Sequence, residues 1–133
     1  MSNLTLQLVS PDKEHFLGAI EMVVLPGEEG DFSVLPDHAP IITYLRPGKI
    51  TIIENQGNKK SYFVASGFVK VDNNNCKVLV DYIKSKSDLS VEESKKELSE
   101  ILTKIEGEKD QSIVARFKER IEILEEEVNF IEN

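Results

Sequence analysis

Residues 27–50, GEEGDFSVLPDHAPIITYLRPGKI, carry the side chains of this chain that are most able to do chemistry. Glu28, Glu29 and Asp31 place three acids within five residues, and His38 follows them in the same stretch. Histidine changes its charge near neutral pH and can therefore act as a general base. The density of acids, histidine and turn residues is typical of a catalytic loop.

The sequence around this stretch does not complete an active site. Catalysis needs an acid, a base or a nucleophile held in convergent geometry. The only local carboxylate partner of His38 is Asp37, which points the other way if the segment is extended. The chain has no GxSxG elbow, no Walker-type glycine-rich loop and no GxGxxG after a strand. We therefore expect no catalytic residue in it.

The glycines and prolines of the stretch favour a rigid docking surface instead. Gly27 and Gly30 allow positive φ around a tight acidic turn. Pro36 and Pro40 force the residues before them toward extended geometry, and Pro47-Gly48 is a type II turn signal. Stiff, exposed loops on a β scaffold bind partners at a low entropic cost.

The composition of the whole chain restricts its partners and cofactors. The 133 residues carry a formal net charge of -8, which argues against nucleic acid and anionic lipid as partners. One cysteine, Cys76, and two separate histidines, His15 and His38, provide no metal-ligand spacing, so we expect no metal and no cofactor. Because the chain lacks a signal-peptide pattern and any apolar run near ~20 residues, we expect no direct lipid insertion.

Residues 1–84 show the two-residue hydrophobic period of β-strands. Leu4, Leu6 and Leu8 alternate with the residues between them. Other short segments are rich in Val, Ile, Tyr, Phe or Thr and are bounded by turn residues: 19–26, 40–45, 49–54, 61–66, 68–72 and 77–83. Gly18 and Ser66-Gly67 are among the expected turns. Many short strands with turn signals predict an all-β sandwich or barrel.

Residues 85–133 change to a helical period. Ser90 is the expected N-cap of a first helix, with Glu93 in the capping-box position and Asp88 as a competing cap. A tight turn at 106–110 precedes a second helix from about Gln111. Apolar residues form one stripe on each helix: Leu98, Ile101, Leu102 and Ile105, then Phe117, Ile121, Leu124, Val128 and Ile131. The pattern predicts a C-terminal antiparallel αα-hairpin after the all-β sandwich.

Charge is distributed unevenly between the two parts. Residues 1–84 carry 8 basic and 10 acidic side chains, whereas residues 85–133 carry 8 basic and 14 acidic ones. In the second helix Arg116, Lys118 and Arg120 precede a wholly acidic tail. A solvated helix face and a surface that meets a charged partner both fit this pattern.

The order of residues in the loop resembles a known family. Pro-Gly-Glu-Glu-Gly-Asp-Phe-x-Val-Leu-Pro-x-His-Ala-Pro begins at Pro26 and is followed by Leu-x-Pro-Gly and by Gly-Phe-Val-x-Val. With the first strand, Leu-Gln-Leu-Val-Ser-Pro, these motifs resemble the epsilon subunit of bacterial F-type ATP synthase, and the resemblance covers the whole chain. It implies a flattened β-sandwich, commonly of ten strands, followed by two helices.

The resemblance also implies a place and a role. Such a subunit is a non-catalytic part of the rotor, at the foot of the central stalk, on the cytoplasmic face of the bacterial inner membrane. Residues 1–84 would bind the gamma subunit and the c-ring. Residues 85–133 would form a two-helix regulatory domain that inhibits ATP hydrolysis through contacts with the alpha and beta subunits.

The same resemblance assigns contacts to particular residues. The c-ring contact falls on Glu28, Glu29, Gly30 and Asp31. The gamma contact falls on His38, Ala39, Pro40 and Thr43. The basic residues that would meet an acidic segment of the beta subunit are Arg116, Lys118 and Arg120.

Two departures from the family pattern change what is expected of the helices. Relatives that bind ATP carry Ile/Leu-Asp-x-x-Arg-Ala at the start of the first helix. Here Ser90 replaces the Asp and Glu93 replaces the Arg, so we expect no ATP binding by that route. The acidic tail after Arg120 would repel an acidic partner segment, so we expect weak inhibition.

The residues leave a second interpretation open. A free-standing β-sandwich binding module could dimerise through its helical hairpin. Co-purification with gamma and c subunits would support the rotor subunit, whereas a stable homodimer alone would support the module. A hydrolase or transferase that depends on His38 is a third and weaker interpretation.

Overall fold

Hydrophobic alternation builds seven strands in the first part of the chain. The computed structural model describes residues 3–133, and the chain divides after Lys84 into two units. The strands of the first unit are β1 Leu4–Ser10, β2 Lys13–Gly27, β3 Gly30–Val34, β4 Ile41–Leu45, β5 Gly48–Glu54, β6 Lys59–Asp72 and β7 Asn75–Lys84. The second unit holds a 3-10 turn, Lys86–Asp88, and two helices, α1 Val91–Glu106 and α2 Gln111–Glu132. The predicted class, a β-sandwich followed by a helical hairpin, is confirmed.

The sheet closes on itself because two long strands each serve several partners. β2 pairs with β1 through its first part and with β3 and β5 through its second part. β6 pairs along one edge with β5 and then with β4, while β7 runs along its other edge. β1 closes the ring by pairing antiparallel with β2 and parallel with β7. Among residues 3–133 the structure therefore has seven strands where the resemblance implies ten, and the two longest, β2 and β6, each pair with several strands without a break.

Two expected turns lie inside strands. Gly18 pairs with Leu6 within β2, so the hairpin turn between β1 and β2 comes earlier in the chain. Ser66 has a positive φ of 58° inside β6, and the ladder to β7 keeps the same register on both sides of it. The turns predicted at Gly18 and at Ser66-Gly67 are therefore wrong.

The stretch that was expected to be loop contains a hairpin. β3 pairs with the end of β2, from Gly27 opposite Gly30 to Val23 opposite Val34. Gly30, with a φ of 134°, adopts the positive φ at this turn, and Gly27 does not. A Cβ at Gly27 would instead lie 2.7 Å from the carbonyl oxygen of Gly30, so close approach of the two strands requires a glycine there.

The type II turn expected at Pro47-Gly48 forms elsewhere. Gly48 is the first residue of β5 and lacks the positive φ that the third position of a type II turn requires. That conformation falls on Asp37, whose φ is 66°. The amide of His38 donates to the carbonyl of Leu35 at 3.2 Å and closes the turn around Pro36 and Asp37.

The inward residues of the strands form one continuous apolar core. Leu4, Leu6 and Leu8 are fully buried, as their alternation predicts. Cys76 is buried in β7, and burial raises the pKa of its thiol to about 12, so the thiol remains protonated at neutral pH. The remaining buried members include Ile20, Val23, Leu25, Val34, Ile50, Ile52, Val64, Val69, Val71, Val78 and Val80.

Side-chain caps fix the ends of the two helices. Ser90 is the N-cap of α1, and its hydroxyl accepts from the amide of Glu93 at 3.3 Å, which confirms the predicted cap. Asp88 does not cap α1, because its carboxylate accepts from the amide and hydroxyl of Ser85 at 3.1 and 2.9 Å. Asp110 caps α2 by accepting from the amide of Ser112 at 2.9 Å. Neither helix among residues 3–133 has an apolar stretch that is long enough to cross a bilayer.

Polar contacts supplement the apolar stripes of the hairpin. Ile101 and Leu124 are buried, but Leu102 is exposed although it belongs to the predicted stripe. The hydroxyl of Ser94 in α1 donates to the carboxylate of Glu127 in α2 at 3.1 Å, and both residues are buried. A carboxylate and a hydroxyl thus occupy positions that hydrophobic periodicity cannot identify.

An ion pair crosses the hairpin nearer the start of α2. The Nε and Nη2 atoms of Arg120 donate to the two carboxylate oxygens of Glu97 at 2.6 and 3.1 Å. This bidentate geometry is the strongest form of a guanidinium–carboxylate contact. The hydrogen bond from Arg120 holds the pKa of Glu97 below its usual value of 4.5.

We expect Gly67→Ala to lower the free energy of unfolding of the sandwich by about 1–3 kcal/mol, because the new methyl group has no space. Its Cβ would lie 2.3 Å from the carbonyl oxygen of Leu79. Chemical denaturation followed by tyrosine fluorescence measures this, since all three tyrosines lie before residue 85.

The matched control is Gly18→Ala. The nearest atom to a Cβ at Gly18 would be Cε1 of Phe16 at 3.7 Å, an ordinary contact. We expect this variant to stay within about 1 kcal/mol of the wild type. Equal losses in the two variants would show that glycine at position 67 is not required by packing.

We expect the pKa of Glu97 to rise toward 4.5 in Arg120→Gln, because the hydrogen bond that favours its charged form is removed. Carboxyl-carbon NMR during an acid titration measures this pKa. A lowered folded-state pKa means that the ion pair stabilises the hairpin above pH 4.5 and that this contribution is lost as the pH falls through the folded-state pKa. Arg116→Gln, the same change at an exposed arginine of α2, should leave the pKa of Glu97 unaltered.

Candidate functional site

An exposed apolar row crosses four strands on one outer face of the sandwich. Strand register places Tyr44 of β4 opposite Phe68 of β6, and Phe68 opposite Leu79 of β7. Leu79 in turn pairs with Val9 of β1. Tyr44 is 68% exposed, although its large ring is the kind of group that folding usually buries. A contiguous apolar row of this kind marks a surface that another molecule covers.

A groove runs along this row and gives it depth. Its volume is about 450 Å³, and its lining includes Pro11, Tyr44, Phe68, Leu79 and Asp81. Ser66, whose φ is 58°, and Gly67 form part of its wall. The groove can accept an apolar side chain from a docking partner.

The next row on the same face changes from apolar to basic. Ile42, which is 71% exposed, lies opposite Lys70, and Lys70 lies opposite Lys77. Like charges directly opposite each other are mildly destabilising in an isolated sheet. Thr43, a predicted gamma contact, lies opposite the buried Val69 on the inner side of β4. Ile42 and Tyr44 flank Thr43 and are exposed, so a partner can reach these two residues.

The loop that leads into β4 borders this face. Ala39 and Pro40 are exposed, and His38 is half-buried. Nδ1 of His38 lies 2.6 Å from the carbonyl oxygen of Ala39 and must donate, since a carbonyl only accepts. This bond holds the imidazole against its own backbone. The structure thus places His38, Ala39 and Pro40 in the loop beside the face, and their contact with gamma stays a prediction.

The acidic turn separates into exposed and compensated carboxylates. Glu28 and Glu29 occupy the two turn positions between β2 and β3 and are exposed. Asp31 accepts from Nη2 of Arg46 at 2.6 Å, and Nη1 of Arg46 donates to the carbonyl of Gly27 at 3.0 Å. Arg46 therefore compensates the charge of Asp31, and the two glutamates form the acidic tip.

A serine, a histidine and an aspartate meet at the start of β2, which sequence reasoning did not identify. The hydroxyl of Ser10 donates to Asp12 at 2.6 Å and lies 2.7 Å from Nε2 of His15. A hydroxyl has one proton, so His15 must donate to Ser10 here and cannot accept the hydroxyl proton. The bond from Ser10 lowers the pKa of Asp12, while desolvation and Lys13 lower the pKa of His15. The arrangement is that of a capped turn and lacks the proton path of a nucleophilic serine.

The predicted basic residues of α2 fall into two groups. Arg116 and Lys118 are exposed, and Arg120 is held by Glu97. At the start of α1, the hydroxyl of Ser90 caps the helix and Glu93 is exposed. Glu97 lies 23 residues before Arg120 in sequence. The ion pair of Arg120 therefore could not be predicted from the residues next to it.

Residues 3–86 match the family model described as ATP synthase, Delta/Epsilon chain, beta-sandwich domain. A relative named ATP synthase epsilon chain, from Maricaulis maris, is 37% identical over 81% of this chain and 80% of its own length. Another of that name, from Myxococcus xanthus, is 34% identical over 89% of this chain and 85% of its own length. A third, from Gluconacetobacter diazotrophicus, is 37% identical over 76% of this chain and 72% of its own length.

Solved structures share the fold. A chain of the Euglena gracilis mitochondrial ATP synthase, solved as an OSCP/F1/c-ring assembly, superposes with a TM-score of 0.86 at 20% identity, over 95% of this chain and 79% of that one. A chain from the Tetrahymena thermophila mitochondrial enzyme, described as central stalk/c-ring, superposes with a TM-score of 0.55 at 18% identity, over 64% of this chain and 68% of that one. The family match and the identity to these relatives together establish that this chain belongs to the ATP synthase delta/epsilon family, as an epsilon chain.

Proposed function

We propose that this chain is a non-catalytic rotor subunit of a proton-translocating F-type ATP synthase that joins the gamma subunit to the c-ring. The observation that carries the proposal is the exposed row formed by Tyr44, Phe68 and Leu79, with its groove of about 450 Å³. A sheet face of this composition requires a protein partner to cover it. The family supplies the partner's identity, since epsilon chains are subunits of ATP synthase.

The gamma subunit is the partner proposed for this face. His38, Ala39 and Pro40 border the face from the loop side, and Ile42 and Tyr44 present the large apolar groups. Aromatic groups at the centre of an interface contribute most of its affinity. The gamma surface is therefore expected to be apolar where it meets Tyr44 and to carry an acid where it meets Lys70 and Lys77, which lie in the neighbouring row.

The c-ring is the partner proposed for the acidic tip. Glu28 and Glu29 present two uncompensated carboxylates on a two-residue turn, while Asp31 is already paired. Two exposed acids suit basic polar loops of the ring. The subunit would then lie on the cytoplasmic face of the bacterial inner membrane and be held there through the complex.

Regulation of ATP hydrolysis is proposed for residues 85–133. Arg116 and Lys118 are exposed and available to an acidic segment of the alpha or beta subunit. Arg120 would first have to break its ion pair with Glu97 before it could bind another subunit. Because this ion pair stabilises the packing of α1 on α2, it supports the expectation of weak inhibition. Because Ser90 is engaged as a cap and Glu93 brings a negative charge, the start of α1 is not suited to bind ATP.

We expect Tyr44→Lys to weaken binding of the purified full-length chain to the gamma subunit by at least about 30-fold, because it places a charge in the apolar row. Isothermal titration calorimetry measures the dissociation constant. Ser33→Lys, which adds the same charge at an exposed position of β3, should change the constant by less than about twofold. Unchanged binding in Tyr44→Lys, or a stable homodimer that does not bind gamma, would contradict the proposed docking face.

We expect the double variant Glu28→Lys, Glu29→Lys to lower proton-driven ATP synthesis by the assembled enzyme, because it reverses the charge of the tip. Synthesis is measured in membrane vesicles with an imposed proton gradient, and binding to isolated gamma should be retained. Glu14→Lys with Glu21→Lys changes the net charge equally at exposed positions of β2 and serves as the control. Equal synthesis in both variants would show that the two glutamates are only solvated turn residues.

A further inference from the structure

The turn between β6 and β7 carries two left-handed asparagines. Asn73 has a φ of 49° and Asn74 a φ of 62°, between the paired residues Asp72 and Asn75. Two consecutive positive φ values are the geometry of the type I′ hairpin turn, which asparagine tolerates well. The carbonyl of Asn74 accepts from the amide of Thr5 at 2.9 Å, so the turn is also tied to β1.

The side chain of Asn74 reaches a loop that lies far away in sequence. Its Oδ1 accepts from the backbone amide of Asp37 at 2.6 Å, and its Nδ2 donates to the carboxylate of Asp37 at 3.1 Å. We refer to these two hydrogen bonds as the Asn74 clamp. Asp37 itself has a φ of 66°, a conformation that a residue with a side chain adopts at an energetic cost. The clamp offsets that cost.

The clamp acts where the loop turns toward the exposed face. Asp37 is the third residue of the turn closed by Leu35 and His38, and the chain runs from there into β4. The conformation of Asp37 therefore sets the direction in which His38, Ala39 and Pro40 leave the turn. Neither Pro36 nor Pro40 restrains φ of Asp37, since each fixes only its own φ and restricts the residue before it.

We propose that Asn74 is a positioning residue that presents residues 38–40 to the partner that docks on the exposed face. The proposal rests on the proposed function, in which that partner is the gamma subunit. Asn74 need not touch the partner, because it acts through the backbone of Asp37. A purely structural role would instead change the stability of the sandwich and leave the affinity of the folded protein unaltered.

We expect Asn74→Gly to weaken binding of the full-length chain to purified gamma subunit by about tenfold, because it removes both hydrogen bonds of the clamp. Glycine keeps the positive φ and the carbonyl that accepts from Thr5, so the hairpin turn itself is retained. Asn73→Gly is the matched control, since it makes the same change at the neighbouring left-handed residue, whose side chain is not part of the clamp. Its affinity should stay within about twofold of the wild type.

The exchanged pair, Asp37→Asn with Asn74→Asp, separates positioning from stability. An aspartate at position 74 can accept from the amide of residue 37, and an asparagine at position 37 can donate to it, so the clamp is rebuilt in reverse. We expect affinity for gamma to recover to within about threefold of the wild type and the amide of residue 37 to regain slow hydrogen exchange. In Asn74→Gly that amide should exchange faster, while the denaturation midpoint followed by tyrosine fluorescence shows that the sandwich remains folded.

Three outcomes would overturn the inference. The first is an Asn74→Gly variant that binds gamma as tightly as the wild type. The second is an exchanged pair that regains slow exchange at residue 37 without regaining affinity. The third is an unchanged chain that does not bind gamma at all, which refutes the proposed function, and the positioning role falls with it.

Discussion

Everything on the functional side of the sandwich depends on β6 remaining one strand while it changes partners. Its ladder to β7 continues past Ser66, and its other edge passes from β5 to β4. Gly67 makes this possible, because its backbone lies against the carbonyl of Leu79 where no side chain fits. The positions of the exposed row, the groove and the start of β4 all depend on the point where β6 changes its partner from β5 to β4. A strand that ended at Ser66 would leave them without a common support.

The fold class could be predicted from the sequence because hydrophobic period is a local property. The alternation of Leu4, Leu6 and Leu8 and the cap at Ser90 were read correctly from a few neighbouring residues. The predicted turns at Gly18 and Ser66-Gly67 failed because the chain there is paired with a neighbouring strand, and partners across a sheet are invisible to local patterns. For the same reason β3 was not predicted, because its extent is set by its pairing with β2. Of the two mispredicted turns, only at Gly67 does close approach of the neighbouring strand require glycine.

The candidate site shows the same division. Residues 38–40 and the acidic turn were assigned as contacts through the family resemblance, and the structure places residues 38–40 in a loop and Glu28 and Glu29 in an exposed turn. The large apolar groups that make the face were missed, since Tyr44 and Phe68 look like ordinary core residues until the register shows where they point. A count of charged residues also overstated how many charges a partner can meet. Asp31 forms an ion pair with Arg46, and Arg120 forms one with Glu97. Ion pairs between distant residues decide which charges a partner can meet.

The parallel pairing of β1 with β7 has a consequence for how the chain is made. Thr5, near the start, pairs with Asn75, so the first strand cannot complete its hydrogen bonds until almost the whole sandwich has been synthesised. Contacts of such long range slow folding and leave an unpaired edge exposed during translation. The helices follow later, and their contacts span short loops that close quickly. The fast-folding helical hairpin is therefore synthesised directly after the slow-folding sandwich. During most of synthesis, the edge of β1 that pairs with β7 has no partner.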